Sequence, residues 1–204
     1  LKPSNVLVGV DGRPKLLDFG ISKLLESDAA GEATRTEQRA LTPAYASPEQ
    51  IRGGVSTVAS DVYSLGVMLY ELVAGERPFA TAPGDARSLE RAVLEEEPDP
   101  PSTAARRGSA AAASVATRAP WRLGRDLDAI CLKALRKEPE RRYASVADFA
   151  EDLARFAAGR PVAARRGGLS YRLGKALRRH RAPLVAAASA ALLVALVALA
   201  WVRG

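Results

Sequence analysis

Two side chains near the start of this 204-residue chain, the Asn5 amide and the Asp18 carboxylate, carry hard oxygen donors that a folded hairpin would bring to one point. Val6-Leu7-Val8 and Lys15-Leu16-Leu17 are short β-prone runs; Asp11-Gly12 between them is a strong turn signal, and Pro14 adds punctuation. Closing the hairpin sets its two ends side by side, and with them Asn5 and Asp18. Such a preformed pair of oxygen ligands suits Mg²⁺, which keeps several waters and takes its remaining ligands from substrate phosphates. An ordinary hairpin with a solvated Asn and Asp is the plainer reading of the same residues.

Three short motifs in order favour the metal clamp. Leu1-Lys2-Pro3-Ser4-Asn5 resembles the second half of the protein-kinase catalytic loop, Asp18-Phe19-Gly20 the metal-binding triplet that follows it, and Ser47-Pro48-Glu49 the end of the activation segment. Each triplet alone is weak; the ordered set is a strong signal. The resemblance implies that Asn5 and Asp18 hold Mg²⁺ (or Mn²⁺) on ATP, with Phe19 and Gly20 shaping the triplet. It also implies that Lys2 supplies positive charge beside the transferring phosphate, where electrostatic stabilisation is most of the catalysis. The aspartate that accepts the substrate proton would stand just before Leu1. The Gly-rich loop, the phosphate-pairing lysine and its glutamate partner would lie further upstream; no G-x-G-x-x-G occurs in the 204 residues. The expectation is a C-terminal kinase fragment that is inactive by itself.

The elements that must hold these groups follow along the chain. Asp18 to Glu49 reads by resemblance as the activation segment. Glu26 to Arg39 has almost no large apolar residue, and Thr34 and Thr36 are candidate phosphoacceptors as well as plain loop hydroxyls. Leu41-Thr42-Pro43-Ala44-Tyr45 resembles the substrate-docking turn of Ser/Thr kinases, with Leu41 where glycine is usual. Thr42 would bond the catalytic aspartate and, with Lys2, points to a serine or threonine acceptor. Val62 to Ala74 is apolar on nearly every face, as in a helix inside a larger domain, with Ser60-Asp61 as its capping start and Gly75 as its stop. By resemblance this is the central helix of the kinase large lobe. Asp61 would hold the catalytic loop through backbone hydrogen bonds, and it serves equally as a helix cap.

Ser88 to Glu97 reads as a short helix, and Pro98 to Arg122, rich in Ala, Arg, Ser and Pro, as a flexible insertion. Order resumes at Leu123, with Leu127, Ile130, Cys131 and Leu135 on one helical face. Glu138-Pro139-Glu140-Arg141-Arg142-Tyr143 resembles the last kinase motif, whose Arg142 would form a buried ion pair with Glu49; breaking such a pair costs roughly 3–5 kcal/mol. Ser145 to Asp148 is a capping pattern for a final helix that carries Phe149, Leu153 and Phe156 and closes at Gly159.

Composition bounds the rest. The single cysteine, Cys131, lies in an apolar run and excludes an internal disulfide. The net charge of +7 is local: ten Lys/Arg and no Asp/Glu follow Asp152, leaving twenty basic against twenty-three acidic groups before that point. A nucleic-acid-binding domain would need a basic stripe on its folded face, so nucleic acid is excluded as a partner. Leu184 to Val202 is nineteen uncharged residues, just long enough at about 1.5 Å per residue to cross a hydrocarbon core of roughly 30 Å. The basic stretch 165–181, ending in Arg178, Arg179, His180 and Arg181, puts the N-terminal side in the cytoplasm.

The expected protein is thus α+β: a mainly helical large lobe with a short β-hairpin over 1–160, a basic juxtamembrane segment over 161–183 and one transmembrane helix over 184–202. It resembles most closely the bacterial single-span, eukaryotic-like Ser/Thr kinases, which phosphorylate protein Ser/Thr hydroxyls at the cytoplasmic membrane. The rival is a catalytically dead kinase-like module that docks partners there; the retained Lys2, Asn5 and Asp18 weigh against it.

Overall fold

The computed structural model describes residues 1–17, 43–79, 85–107, 124–165 and 171. A 3₁₀ turn, Pro3–Asn5, runs straight into β1 (Val6–Val8), which pairs antiparallel with β2 (Pro14–Leu16) in the register Val6 to Leu16, Leu7 to Lys15 and Val8 to Pro14. The turn between them works as its residues dictate. Gly12 takes φ +74°, which a side chain would oppose, and the Asp11 carboxylate accepts the Arg13 amide at 3.1 Å. β2 starts one residue earlier than the Lys15 expected, because Pro14 sits at a strand end, where no ladder donor is needed.

A second 3₁₀ turn (Pro43–Tyr45) leads into the short helix α1 (Pro48–Ile51). The longer helices follow: α2 (Val58–Ala74), α3 (Ala86–Glu95), α4 (Pro101–Arg107), α5 (Arg125–Ala134) and α6 (Val146–Ala157), with a 3₁₀ turn at Pro139–Arg141 between the last two. α2 is the axis of the fold. One side of it (Tyr63, Val67, Tyr70, Ala74) packs with Phe79, Ala92, Val93, Ala104 and Leu135. The other side presents Val62, Leu65 and Leu69 to Ile130, Ala134, Tyr143 and Phe149. Burying each large side chain of this kind contributes on the order of 1.5–3 kcal/mol, so a helix covered on both sides dominates the stability of the lobe.

Gly66 explains how close α2 and α5 come. A Cβ built there would lie 2.8 Å from the Ala134 Cβ and 3.4 Å from Leu135. Glycine inside a helix costs about 1 kcal/mol relative to alanine, and here the close approach of the two helices offsets it. Gly75 ends α2 in the left-handed region at φ +75°, its amide bonded to the Glu71 carbonyl at 2.9 Å.

Three expectations need correction. α2 begins at Val58, four residues ahead of Val62: its start is set at Thr57, whose amide donates to Ser60 Oγ at 3.1 Å, and not by Ser60-Asp61. The helix expected over Ser88–Glu97 is Ala86–Glu95, because Asp85 caps it by accepting the Ser88 amide at 3.0 Å. The stretch 98–122 is not all flexible insertion. Pro101–Arg107 forms α4 and buries Pro101, Ala104 and Ala105; Ser102 ties it to α5 by donating its amide and hydroxyl to Asp128 at 2.9 and 2.8 Å. Small residues suffice there because they face α2 and α5 directly. Residues 108–122 lie outside the described residues, as does the expected span 184–202; no helix of the described residues is long and apolar enough to cross a membrane.

Candidate functional site

The turn that carries Lys2 and Asn5 is the open end of the hairpin. Lys2 is extended and precedes the turn; its carbonyl accepts the Asn5 amide N–H at 3.0 Å. The Asn5 carbonyl in turn accepts the Leu17 amide at 2.9 Å, which extends the ladder one step beyond the strands and clamps the two ends together. This bond stops one residue short of Asp18. Asp18, Phe19, Gly20, Thr34, Thr36 and Thr42 lie outside the described residues.

Lys2 and Asn5 are both half-buried, and their side chains have no hydrogen-bond partner among the described residues. An amide oxygen left open in this way is a hard donor that a divalent oxygen-loving cation can use, and an open ammonium three residues away can meet a phosphate. The donor set therefore fits Mg²⁺ with a nucleotide. Asn5 would be a ligand and Lys2 a charge partner.

The turn Pro43–Tyr45 is fixed to α2 by two bonds. Tyr45 donates its hydroxyl to Glu71 Oε2 at 2.7 Å, and Ser64 Oγ donates to the Tyr45 carbonyl at 2.9 Å. Burial and the Glu71 carboxylate raise the Tyr45 phenol to about 12. The sequence reading did not single out Glu71, because it lies 26 residues from Tyr45 on a face that reads simply as helix.

Below this turn, the structure brings Glu49 and Arg142 together. The Arg142 side chain is fully buried, and its Nη1 and Nη2 reach Glu49 Oε1 and Oε2 at 2.7 and 2.8 Å, a bidentate pair. Its remaining donors go to backbone carbonyls: Nε to Arg136, Nη1 to Ala59 and Nη2 to Lys137, at 2.7, 2.9 and 2.9 Å. All five guanidinium N–H groups are thereby used. The guanidinium also lies over the Tyr63 ring at 5.0 Å. Burial pushes the Glu49 carboxyl up, but the hydrogen bonds from Arg142 and from Ser60 (2.7 Å) outweigh it and hold the group down at about 2. Ser60 was expected as a helix cap; the structure gives it this second task. Asp61, in the first turn of α2, is exposed. Cys131 is buried in α5, and burial raises its thiol well above the ordinary range, as suits a packing residue.

Residues 1–152 match the protein kinase domain family. The serine/threonine-protein kinase PknB of Mycobacterium tuberculosis is 39% identical over 162 residues, covering 79% of this chain and 23% of that protein. A probable serine/threonine-protein kinase of Corynebacterium efficiens is 37% identical over 153 residues, or 75% of this chain and 21% of its own length. A probable PknB of Bifidobacterium longum is 35% identical over 166 residues, 80% and 21%. The chain thus spans less than a quarter of each of these relatives.

Proposed function

This chain belongs to the protein kinase family, and we propose that it is the large-lobe part of an ATP-dependent kinase that phosphorylates protein serine or threonine hydroxyls in membrane-linked signalling. The observation that carries the reading is the turn Pro3–Asn5: the Asn5 carbonyl takes the Leu17 amide, one residue before Asp18 in the sequence, while the Lys2 and Asn5 side chains have no hydrogen-bond partner among the described residues. Bound Mg²⁺ would neutralise phosphate charge during transfer. Asn5 and Asp18 are its ligands in this reading, and Lys2 faces the transferring group. Thr42 positions the acceptor from the docking turn that Tyr45 anchors to α2. Thr34 and Thr36 are the phosphoacceptors through which the activation segment is ordered.

Residues 184–202 are the proposed membrane span, with the kinase part on the cytoplasmic side next to the basic stretch 165–181. The test of the chemistry is Asp18→Ala in the complete protein. The expected result is loss of phosphoryl transfer to a protein substrate with an unchanged melting temperature. Undiminished transfer would remove the metal assignment and leave the docking module as the better account. For the membrane reading, recovery of the complete protein in a carbonate-washed membrane fraction is expected, and recovery in the supernatant would contradict it.

A further inference from the structure

The kinase family match ends at residue 152, yet the chain remains attached to the lobe beyond that point. Asp152, in the middle of α6, is 1% exposed and points its carboxylate at three donors: the Tyr143 hydroxyl at 2.9 Å and the amides of Ala163 and Ala164 at 2.5 and 2.8 Å. Between them Val162 is buried against Tyr143 and Phe149. A second attachment lies further out. Arg165 Nη1 meets Asp126 Oδ1 at 2.9 Å, and the same oxygen accepts the Tyr171 hydroxyl at 2.9 Å. The Arg165 guanidinium lies over the Tyr171 ring at 4.4 Å, and the Tyr171 oxygen accepts the Val162 amide at 3.2 Å.

These contacts differ in kind from those of a chain that merely trails off a helix. Backbone amides of an irregular segment are received by a buried carboxylate on α6, and the Arg165 and Tyr171 side chains close on a carboxylate of α5. We propose that Pro161–Arg165 together with Tyr171 is a latch: a strap that closes over α5 and α6 and opens as a unit, fixing or freeing the direction in which the chain leaves the lobe. The inner attachment at Asp152 is shared with the core through Tyr143. The outer clasp at Asp126 is partly open to solvent, the Arg165 side chain being 32% exposed, so it sets how often the strap opens. The latch is independent of the metal clamp and stands or falls apart from the kinase reading.

Hydrogen exchange on the 204-residue chain in detergent tests it, with the outer clasp weakened by Arg165→Ala or Tyr171→Phe. In the unaltered chain the amides of Val162, Ala163 and Ala164 are expected to be protected. Each variant should speed their exchange by about tenfold or more while the amides of α5 and α6 keep their rates. Asp152→Asn, which strikes the inner attachment, should release Ala163 and Ala164 and also loosen Tyr143. Unprotected strap amides in the unaltered chain would overturn the latch, as would unchanged rates in both clasp variants. Acceleration of α5 and α6 in step with the strap would also overturn it, since the segment would then be a fixed part of the core.

Discussion

The hairpin end and the node around Arg142 are built on opposite principles. At Lys2 and Asn5 the backbone fixes the position, by the turn bond and the bond to Leu17, while the side chains have no hydrogen-bond partner among the described residues. At Arg142 the side chain is consumed: five donors, five acceptors, a ring beneath and no exposure. The strands confirm the contrast, since Leu7, Val8 and Leu16 are about half or more exposed, whereas Val62 and Tyr63 of α2 are fully buried. A group that must bind something else keeps its capacity unspent and takes its position from the backbone. A group that holds a fold together has every capacity filled. The difference separates residues whose loss should cost activity from those whose loss should cost stability.

The largest effect should follow from Arg142→Ala. It leaves Glu49 as a half-buried charge without its partner and orphans the carbonyls of Ala59, Arg136 and Lys137. The expected loss is about 3–5 kcal/mol, read as a fall in the urea midpoint, a large part of the stability of any single domain. A loss below 1 kcal/mol would mean the node is not structural.

Gly66→Val comes next. Its side chain would press α2 against Ala134 and Leu135, and overpacking of this kind costs about 1–3 kcal/mol by thermal or denaturant unfolding.

Acid tests the same node from the other partner. Because the Glu49 carboxyl is held below its unfolded value, its contribution is complete above about pH 4.5 and is lost progressively as pH falls toward about 2. In Glu49→Gln this part of the acid-unfolding profile should flatten; an unchanged profile would assign acid sensitivity to other carboxylates. Lys137 gives a slope of the same sign in the alkaline range, for the opposite reason: here the charged form is the one the fold disfavours. Burial lowers its ammonium to about 8, although it reaches the Val93 carbonyl at 2.6 Å and the Phe79 ring at 4.4 Å. The folded lobe therefore binds fewer protons there than the unfolded chain between about pH 8 and 10.5, and stability should rise with pH across that window. Lys137→Met should abolish the rise, and its persistence would place it elsewhere.

Much of this contrast was legible in the sequence, for local reasons. Val6-Leu7-Val8 and Asp11-Gly12 specify a hairpin without help from the rest of the chain, and Ser145 with Asp148 starts α6 as written, Ser145 Oγ accepting the Asp148 amide at 3.0 Å. What the sequence concealed depends on distant partners. Ser60-Asp61 reads as a cap, but Thr57 also fits, and the choice falls to Thr57 because Ser60 can then serve both the Thr57 amide and Glu49. α4 was hidden by its alanines, which look like insertion until α2 and α5 stand beside them. The anchoring carboxylates Asp126 and Asp152 carry no motif; their donors lie 9 to 45 residues away. Of the candidate site itself, Lys2 and Asn5 are placed and Asp18 and Thr42 fall outside the described residues.

In the proposed reading the chemistry sits on groups that the fold does not need. The measurement that tests it most directly is Asn5→Ala in the complete protein, followed by Mg²⁺-dependent phosphoryl transfer and by thermal melting on the same preparation. Transfer is expected to fall by at least about a hundredfold, the scale of a lost electrostatic catalytic group, with stability changed by less than about 0.5 kcal/mol. Transfer at the unaltered rate, or a melting loss comparable to that of Arg142→Ala, would contradict it.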